Sequence, residues 1–514
     1  MKHDTILVLD FGGQYCHLIG RRIREQAVYS EIVASDITPT EIKIIHEKLD
    51  VKGIVLSGGP SSVYEPNAPR LNPEILEVDL PILGLCYGHQ LIAQISNGKV
   101  EPASCKEYGT TKVTVDKAVD VLKGLSSEEK VWMSHGDTVY TMPPRFEVLA
   151  HTENCPIAAF RHKQKRIYGL QWHPEVIHTK NGKKMLHNFI FEVCKCKANW
   201  QMEDLIEKMI KEVKTEVGQS KAIIGLSGGI DSSVATALAA KALKERLTAV
   251  FVDHGFMRES EPEEIRKAFQ KHNINFVTAN AQERFMQRLR GIADPEKKRR
   301  IIGEEFVRVF EEIAEEAGAE YLIQGTIYPD RIESGFRKHS EKIKTHHNVA
   351  GLPSKIKFKK IVEPLRDLYK DEVRKVAKML RLPREITSRQ PFPGPGLAVR
   401  IVGELTDEKI VVTKKADQIV REEIEKKDLQ KKLWQYFAVL TDTKATGVRG
   451  DARAYGYVVA VRAVVSREAM TANFAKIPFS TLERISTRIT NEIPEVTRVV
   501  YDVTHKPPAT IEWE

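Results

Sequence analysis

Two stretches of this 514-residue chain hold residue types at spacings that could do chemistry. The first is Gly84-Leu-Cys86-Tyr87-Gly88-His-Gln90. A cysteine between close glycines, where an apolar run turns into a helical pattern, reads as the thiol version of a nucleophile elbow. The turn lifts the sulfur above the sheet, and the helix N-terminus that follows favours the thiolate. Such a nucleophile needs a base, and the base needs an orienting group. Gln171-Trp-His173-Pro-Glu175 supplies both. Pro174 stiffens the spacing, and alternate residues of an extended segment lie on one side, so His173 and Glu175 reach the same neighbourhood. The bland alternative for a free cysteine is a buried structural thiol, which is the reading taken for Cys16, Cys105 and Cys155.

The second stretch is Ser227-Gly228-Gly229-Ile230-Asp231-Ser232-Ser233, between an apolar run over 222–226 and a helical pattern over 232–243. Two glycines let the backbone turn tightly. Hydroxyls and free N–H groups at a helix N-terminus make an anion site. Asp231 is out of place in a loop that holds phosphate alone, and suits one where a cation accompanies polyphosphate. The ordinary ATP loop, G-x-x-x-x-G-K-[ST], is absent. The alternative is a Ser/Gly-rich helix cap without a ligand.

Strand ends must carry both stretches. Residues 5–10, 54–57 and 81–85 read as buried strands, and 14–26 and 87–96 as helices; this alternation indicates a mostly parallel sheet. A helix over 200–217 and strands at 222–226, 247–252, 274–279 and 321–324 form a second set. The Pro/Gly-rich segment 389–396 marks a boundary. Beyond it, strands at 458–465 and 497–503 mix with helices at 407–426 and 480–491. The expected fold class is therefore α/β: two successive mostly parallel-sheet domains, 1–195 and 200–389, followed by a small α+β domain, 390–514. Cys194-Lys-Cys196 reads as part of a linker rather than a metal or redox pair.

Charge is 79 basic against 70 acidic residues, a net +9 that suits anionic substrates, with nucleic acid a weaker possibility. No apolar run approaches the roughly 20 residues of a membrane span, so no membrane partner is expected. The N-terminus lacks a signal-peptide pattern. Six scattered cysteines argue for a reducing cytoplasm rather than a disulfide framework. Basic runs at 294–300 and 354–360 are read by default as solvated faces.

Residues 227–233 resemble the pyrophosphate loop of the ATP pyrophosphatases, over roughly residues 200–390. That resemblance implies cleavage of ATP between its α and β phosphates and adenylation of a substrate oxygen. It places Val252 and Asp253 at the strand end where adenosine would lie, although Asp253 suits a helix cap equally well. The cysteine elbow with His173 and Glu175 is similar to class I glutamine amidotransferases, over about residues 5–192. By that resemblance Cys86 attacks the glutamine amide, His173 shuttles the proton and Glu175 orients His173. Backbone N–H groups near Gly59 and of Tyr87 would form an oxyanion hole. Gln90 and Ser134-His135-Gly136-Asp137 would hold glutamine, with His135 and His89 equally readable as core histidines.

The domain order and the tail, Lys506-Pro-Pro-Ala-Thr-Ile511-Glu512-Trp-Glu514, resemble those of glutamine-hydrolysing GMP synthetases. The family implies glutamine, ATP with Mg²⁺ near Asp231, and xanthosine monophosphate (XMP) as substrates and cofactors. It implies a lid in which Asp330, Glu333, Arg299 and Lys344 gather around ATP and the nucleotide; a lid keeps an adenylated intermediate from water. It also implies an XMP site made of Arg299, Gln435, Arg498, Lys506, Ile511 and Glu512, and a homodimer through the C-terminal domain. The rival readings are another glutamine-dependent amidating pyrophosphatase, such as an NAD synthetase, a tRNA-modifying enzyme of the same loop family, and an inactive nucleic-acid-binding scaffold. A different glutaminase type is usual in the first. The second needs no glutaminase, and residues 200–390 lack the paired cysteines it often carries.

Overall fold

The computed structural model describes residues 2–258, 261–269, 274–335, 358–387, 390–466 and 471–514, without the side chains of 262, 268, 332–335, 384 and 385. Lys344 lies outside the described residues, and of Glu333 only its place in the helix Tyr328–Gly335 is given. The chain divides into two compact units, one formed chiefly by residues up to Leu205 and the other by those from Ile206 onward.

In the first unit, nine strands form one sheet: β1 Asp4–Asp10, β2 Tyr29–Ala34, β3 Asp50–Leu56, β4 Ile82–Leu85, β5 Lys99–Val115, β6 Glu128–Thr141, β7 Phe146–His151, β8 Ala159–His162 and β9 Ile167–Leu170. Their order is β2-β1-β3-β4-β9-β8-β7-β5-β6. From β2 to β9 neighbours pair in parallel. From β9 to β6 they pair antiparallel. Of the parallel half the sequence predicts β1, β3 and β4 but not β2 or β9; β4 and β9 are buried along their whole length, as strands covered on both faces must be. In the antiparallel half, β6 alternates buried and open positions over much of its length, the pattern of a sheet with one wet face.

In the second unit, β10 Ala222–Gly225, β11 Leu247–Asp253, β12 Asn275–Asn280, β13 Tyr321–Ile323 and β14 Lys360–Val362 form a parallel sheet in the order β12-β11-β10-β13-β14. A smaller sheet joins β15 Gln435–Arg449, β16 Ala452–Val465 and β17 Asn473–Phe474 antiparallel, with β18 Val496–Tyr501 parallel to β16. One apolar cluster runs through both sheets, from Ile223 and Val250 through Leu397 and Ala416 to Val459.

The helix Pro295–Ala317 is set by its ends. Asp294 Oδ1 accepts from Lys297 N at 2.8 Å and proline opens the first turn. Gly318 closes the helix in the left-handed region, at φ +61°. Lys298 and Arg299 lie close to this N-terminal end.

Two local expectations change. The 194–199 segment packs on its own unit: Cys194 and Cys196 are buried, and Asp4 accepts from Lys197 N at 2.8 Å and Asn199 Nδ2 at 3.0 Å. The basic run at 294–300 is not wholly solvated either, since Lys298 is fully buried against Ile401 O and Glu514. No helix among the described residues is long and apolar enough to cross a membrane.

Candidate active sites

Cys86 sits between β4 and the helix Tyr87–Ile95 with φ +52°, a conformation that costs a non-glycine residue about 1–3 kcal/mol. Its N–H donates to Leu170 O of β9 at 2.8 Å, which holds the elbow on the sheet. Two glycines make the close crossing passable. A Cβ on Gly84 would lie 2.5 Å from Gly88 O, and one on Gly88 would lie 2.6 Å from Leu56 Cβ.

His173 follows β9 and is nearly enclosed, and its Nδ1 is 2.7 Å from Glu175 Oε1. Arg22 Nε donates to Glu175 O at 2.9 Å, and Thr179 Oγ1 to His173 O at 2.6 Å, so both ends of this segment are anchored. Glu175 Oε2 is buried without a hydrogen-bond partner, so the carboxylate's described side-chain bond is the one to the imidazole. Burial drives His173 toward its neutral form, but the Glu175 carboxylate and the Cys86 sulfur outweigh it, and the imidazole pKa is raised well above its ordinary value. The three residues have the arrangement of a nucleophile, a base and an orienting group. Replacing Glu175 by glutamine removes the largest raising influence. The alkaline limb of the glutaminase pH profile, where the imidazolium loses its proton, is then expected to move to lower pH. The glutaminase kcat is expected to fall by about 10²–10⁴. Initial rates of glutamate release across pH check both.

Around the sulfur the structure gathers most of the expected pocket. Tyr87 opens its helix, so its N–H belongs to the first turn, which has no intrahelical acceptor. A Cβ on Gly59 would meet Phe11 O at 2.9 Å and the Tyr87 ring at 3.1 Å, which puts the Gly58-Gly59 backbone against the elbow. Ser134 O lies 3.7 Å from Cys86 Sγ. Gln90 Nε2 donates to Asp137 O at 2.9 Å, and Tyr64 OH to Asp137 Oδ1 at 2.9 Å. Gly136 is placed by the same strand, β6. His135 is buried, with Nε2 3.0 Å from Glu107 Oε2 and Nδ1 2.8 Å from Asp137 O. His89 is fully buried and stacked on Phe160, and burial first, then His135, pushes its pKa down to about 3; it is a neutral core histidine.

Sequence reading missed Gln171, whose Nε2 lies 3.8 Å from Cys86 Sγ, and Glu107. Gln171 had a signal, lying two residues before His173. Glu107 had none, because it meets His135 only through the β5/β6 register.

In the second unit, Gly229 caps the helix Ile230–Leu243 and Gly228 has φ +74°. Ser232 Oγ donates to Gly229 O at 3.1 Å and lies 3.0 Å from Ser227 Oγ, and Gly229 N donates to Ser227 Oγ at 3.4 Å. These bonds shape a cup of backbone N–H groups at a helix N-terminus. In the loop, Asp231 Oδ1 and Ser233 Oγ are buried polar atoms without a hydrogen-bond partner, an arrangement that a polar ligand would complete. Lys370, opening the helix Lys370–Met379, donates to Asp231 Oδ2. Lys370 was not legible in the sequence, as it reaches the loop from a distant segment. Val252 is buried in β11. Asp253 closes a turn rather than capping a helix, with Oδ1 accepting from Gly255 N at 3.0 Å and Oδ2 from Gln282 Nε2 at 2.8 Å. Asp330 Oδ2 accepts from Ile327 N at 3.2 Å at the start of its helix.

The tail is turns and bends rather than a terminal strand. Lys506 is held there by a backbone bridge to Ala472. Glu512 and Gln435 meet, Gln435 Nε2 donating to Glu512 Oε1 at 3.0 Å. Arg299 donates to Glu514 O. Ile511 is buried with Phe437, Val439, Ala460 and Val464, in a packing role. Arg498 is exposed on β18, and no described bond joins it to the others.

An activated-cysteine glutaminase and a pyrophosphate loop in one chain define a glutamine-dependent amidotransferase that draws on ATP. The family comparisons agree: "Glutamine amidotransferase class-I" matches residues 7–193, "PP-loop domain" 201–383 and "GMP synthase C terminal domain" 422–513. Proteins named GMP synthase (glutamine-hydrolyzing) from Caldanaerobacter subterraneus subsp. tengcongensis and Caldicellulosiruptor saccharolyticus are each 52% identical to this chain, and one from Clostridium kluyveri is 50% identical, each over the whole of both chains. The chain belongs to the family of glutamine-hydrolysing GMP synthases.

Proposed function

We infer that this chain makes GMP from XMP, glutamine and ATP. The observation that supports it most is the pairing of the Cys86–His173–Glu175 constellation with the Asp231–Lys370 loop in one chain. In the glutaminase half, Cys86 Sγ attacks the amide carbon, and His173 gives its proton to the departing nitrogen. Ammonia leaves, and water cleaves the thioester to glutamate. N–H groups at Gly59 and Tyr87 stabilise the oxyanion, each worth about 10²–10³ in rate. Gln90, Ser134 and Asp137 shape the glutamine pocket.

In the second half, the C2 oxygen of XMP attacks the α-phosphorus of ATP, the bond to the β-phosphate bridging oxygen breaks, and pyrophosphate leaves into the Ser227–Gly229 cup. Ammonia attacks C2, the C2–O bond breaks, and AMP departs with that oxygen. Mg²⁺ fits this loop through the unpartnered Asp231 Oδ1, and when bound it would neutralise phosphate charge. Lys370 balances Asp231 and reaches the same phosphates. The tail residues Lys506 and Glu512, with Gln435 of β15 and Arg299, form the XMP side. Arg498, and Glu333 and Lys344 of the lid, stand as contributors by family resemblance.

The reading also takes domain limits at 1–195, 200–389 and 390–514, a cytoplasmic location, and a homodimer through the last domain. Phe479, 88% exposed, with Val448 and Tyr455, supplies apolar surface there for a partner copy. Sedimentation equilibrium tests the dimer.

Pyrophosphate release from ATP, with glutamine and Mg²⁺, tests the substrate. Release is expected with XMP, matched by GMP, and not with inosine monophosphate, deamido-NAD or no acceptor. Release with another acceptor overturns the substrate assignment.

A further inference from the structure

The second unit buries a chain of alternating charges that ends at Glu512, and no step above uses its other three members. Arg400 is fully buried. Its Nε and Nη2 donate to Glu512 Oε2 and Oε1 at 3.0 and 2.9 Å, a bidentate pair, and its Nη1 reaches Asp417 Oδ1 at 3.3 Å. Its guanidinium carbon lies 3.9 Å from the centre of the Phe437 ring and 5.1 Å from that of Phe392. Asp417 also accepts from Arg258 Nε at 2.9 Å, and the Arg258 guanidinium lies over Phe392 as well. Arg258 stands just past the end of β11, the strand that carries Val252 and Asp253. The chain Arg258–Asp417–Arg400–Glu512 therefore runs from the carboxyl edge of the ATP-side sheet to the tail.

Burying such ions is costly, and apolar replacements often serve stability as well or better. The geometry at Glu512 indicates what this set does. A carboxylate has about four lone-pair sites. Arg400 takes one on each oxygen, and Gln435 takes the second on Oε1. One site remains, on Oε2. The Glu512 side chain is 16% exposed while that of Arg400 is 0% exposed, so of the two it is the carboxylate that keeps access to the surface. Lysine could not make this fork, because an ammonium is a point charge without the planar donor pair.

We propose that Arg400 is a positioning residue for the acceptor nucleotide. It aims Glu512 so that one Oε2 lone pair meets an N–H or O–H donor of that nucleotide, and through Asp417 and Arg258 it ties the carboxylate to the ATP edge of the sheet. This rests on the reading of the tail as the XMP site.

The test uses the full chain with ammonium as nitrogen donor, so that the glutaminase does not enter. Arg400→Lys is expected to raise the KM for XMP about tenfold or more while kcat changes less than about threefold. The double variant Arg400→Lys/Glu512→Gln is expected to be no worse than Glu512→Gln alone, because both remove one interaction. An unchanged KM for XMP in Arg400→Lys, or independent multiplying effects in the double variant, overturns the proposal. If Glu512→Gln alone leaves that KM unchanged, the tail is not the XMP site, and the proposal falls with that reading. Should Arg400→Lys fail to melt cooperatively, Asp417→Asn carries the same test, since it removes an anchor of Arg400 without touching the tail. A KM for XMP raised about threefold or more supports the proposal, and an unchanged one overturns it.

Discussion

Replacing Cys86 by alanine is expected to lower glutamine-dependent GMP formation by about 10⁴-fold or more, while synthesis from added ammonium stays near the wild-type rate. The size follows from chemistry. Without the sulfur no covalent thioester forms, and His173 and Glu175 are left holding a proton path with no nucleophile at its end. The selectivity follows from architecture. Cys86 belongs to the unit that ends near Leu205, while the Ser227–Ser233 loop and its Lys370 partner belong to the unit that starts at Ile206. Parallel assays with glutamine and with ammonium chloride, at a pH where free ammonia is present, read both numbers. Loss of both activities in a folded Cys86→Ala protein would show that the adenylating half depends on the thiol, against the division argued above.

The mirror-image result is expected in the other unit. Asp231→Asn and Lys370→Ala should each lower GMP synthesis by about 10²–10³ with either nitrogen source, the loss typical of a preorganised electrostatic group. The two residues touch, so their effects should not multiply: the double variant should resemble the worse single one. A glutamine-derived electrophile should still label Cys86 in all three proteins. Survival of ammonium-dependent synthesis in these variants would place the adenylation elsewhere.

The parts of the site that were legible share one property. Gly84–Gln90, Gln171–Glu175 and Ser227–Ser233 are each continuous in the chain. Their backbone must follow one path: an elbow at φ +52°, an extended His-x-Glu, a turn into a helix N-terminus. The residue types report that path because few others tolerate it. The strands β1, β3, β4, β10 and β11 were legible for a related reason, since strands covered on both faces are apolar along their length. The family resemblance added roles for Gln90 and Asp137, and the structure then joined them by a hydrogen bond.

What stayed hidden depends on contacts between distant segments. Glu107 reaches His135 only because β5 and β6 pair antiparallel in one register, and a one-residue slip would turn it to the other face. Lys370 meets Asp231 across 139 residues, and Arg400 meets Glu512 across 112. Lys298 sat in a basic run that reads as solvated, yet a carboxylate 216 residues away draws it inside. No local pattern records such pairs, since a charged residue looks the same in sequence whether water or a buried partner satisfies it. By itself, then, the sequence singled out two candidate reaction centres, a cysteine elbow and a Ser/Gly-rich loop, and the strand–turn–helix units that hold them, because each is a constraint on consecutive residues. Only the tertiary structure decided which buried charges balance one another and which carboxylate faces an open edge, because those are set by register and desolvation, and both exist only once the chain has folded.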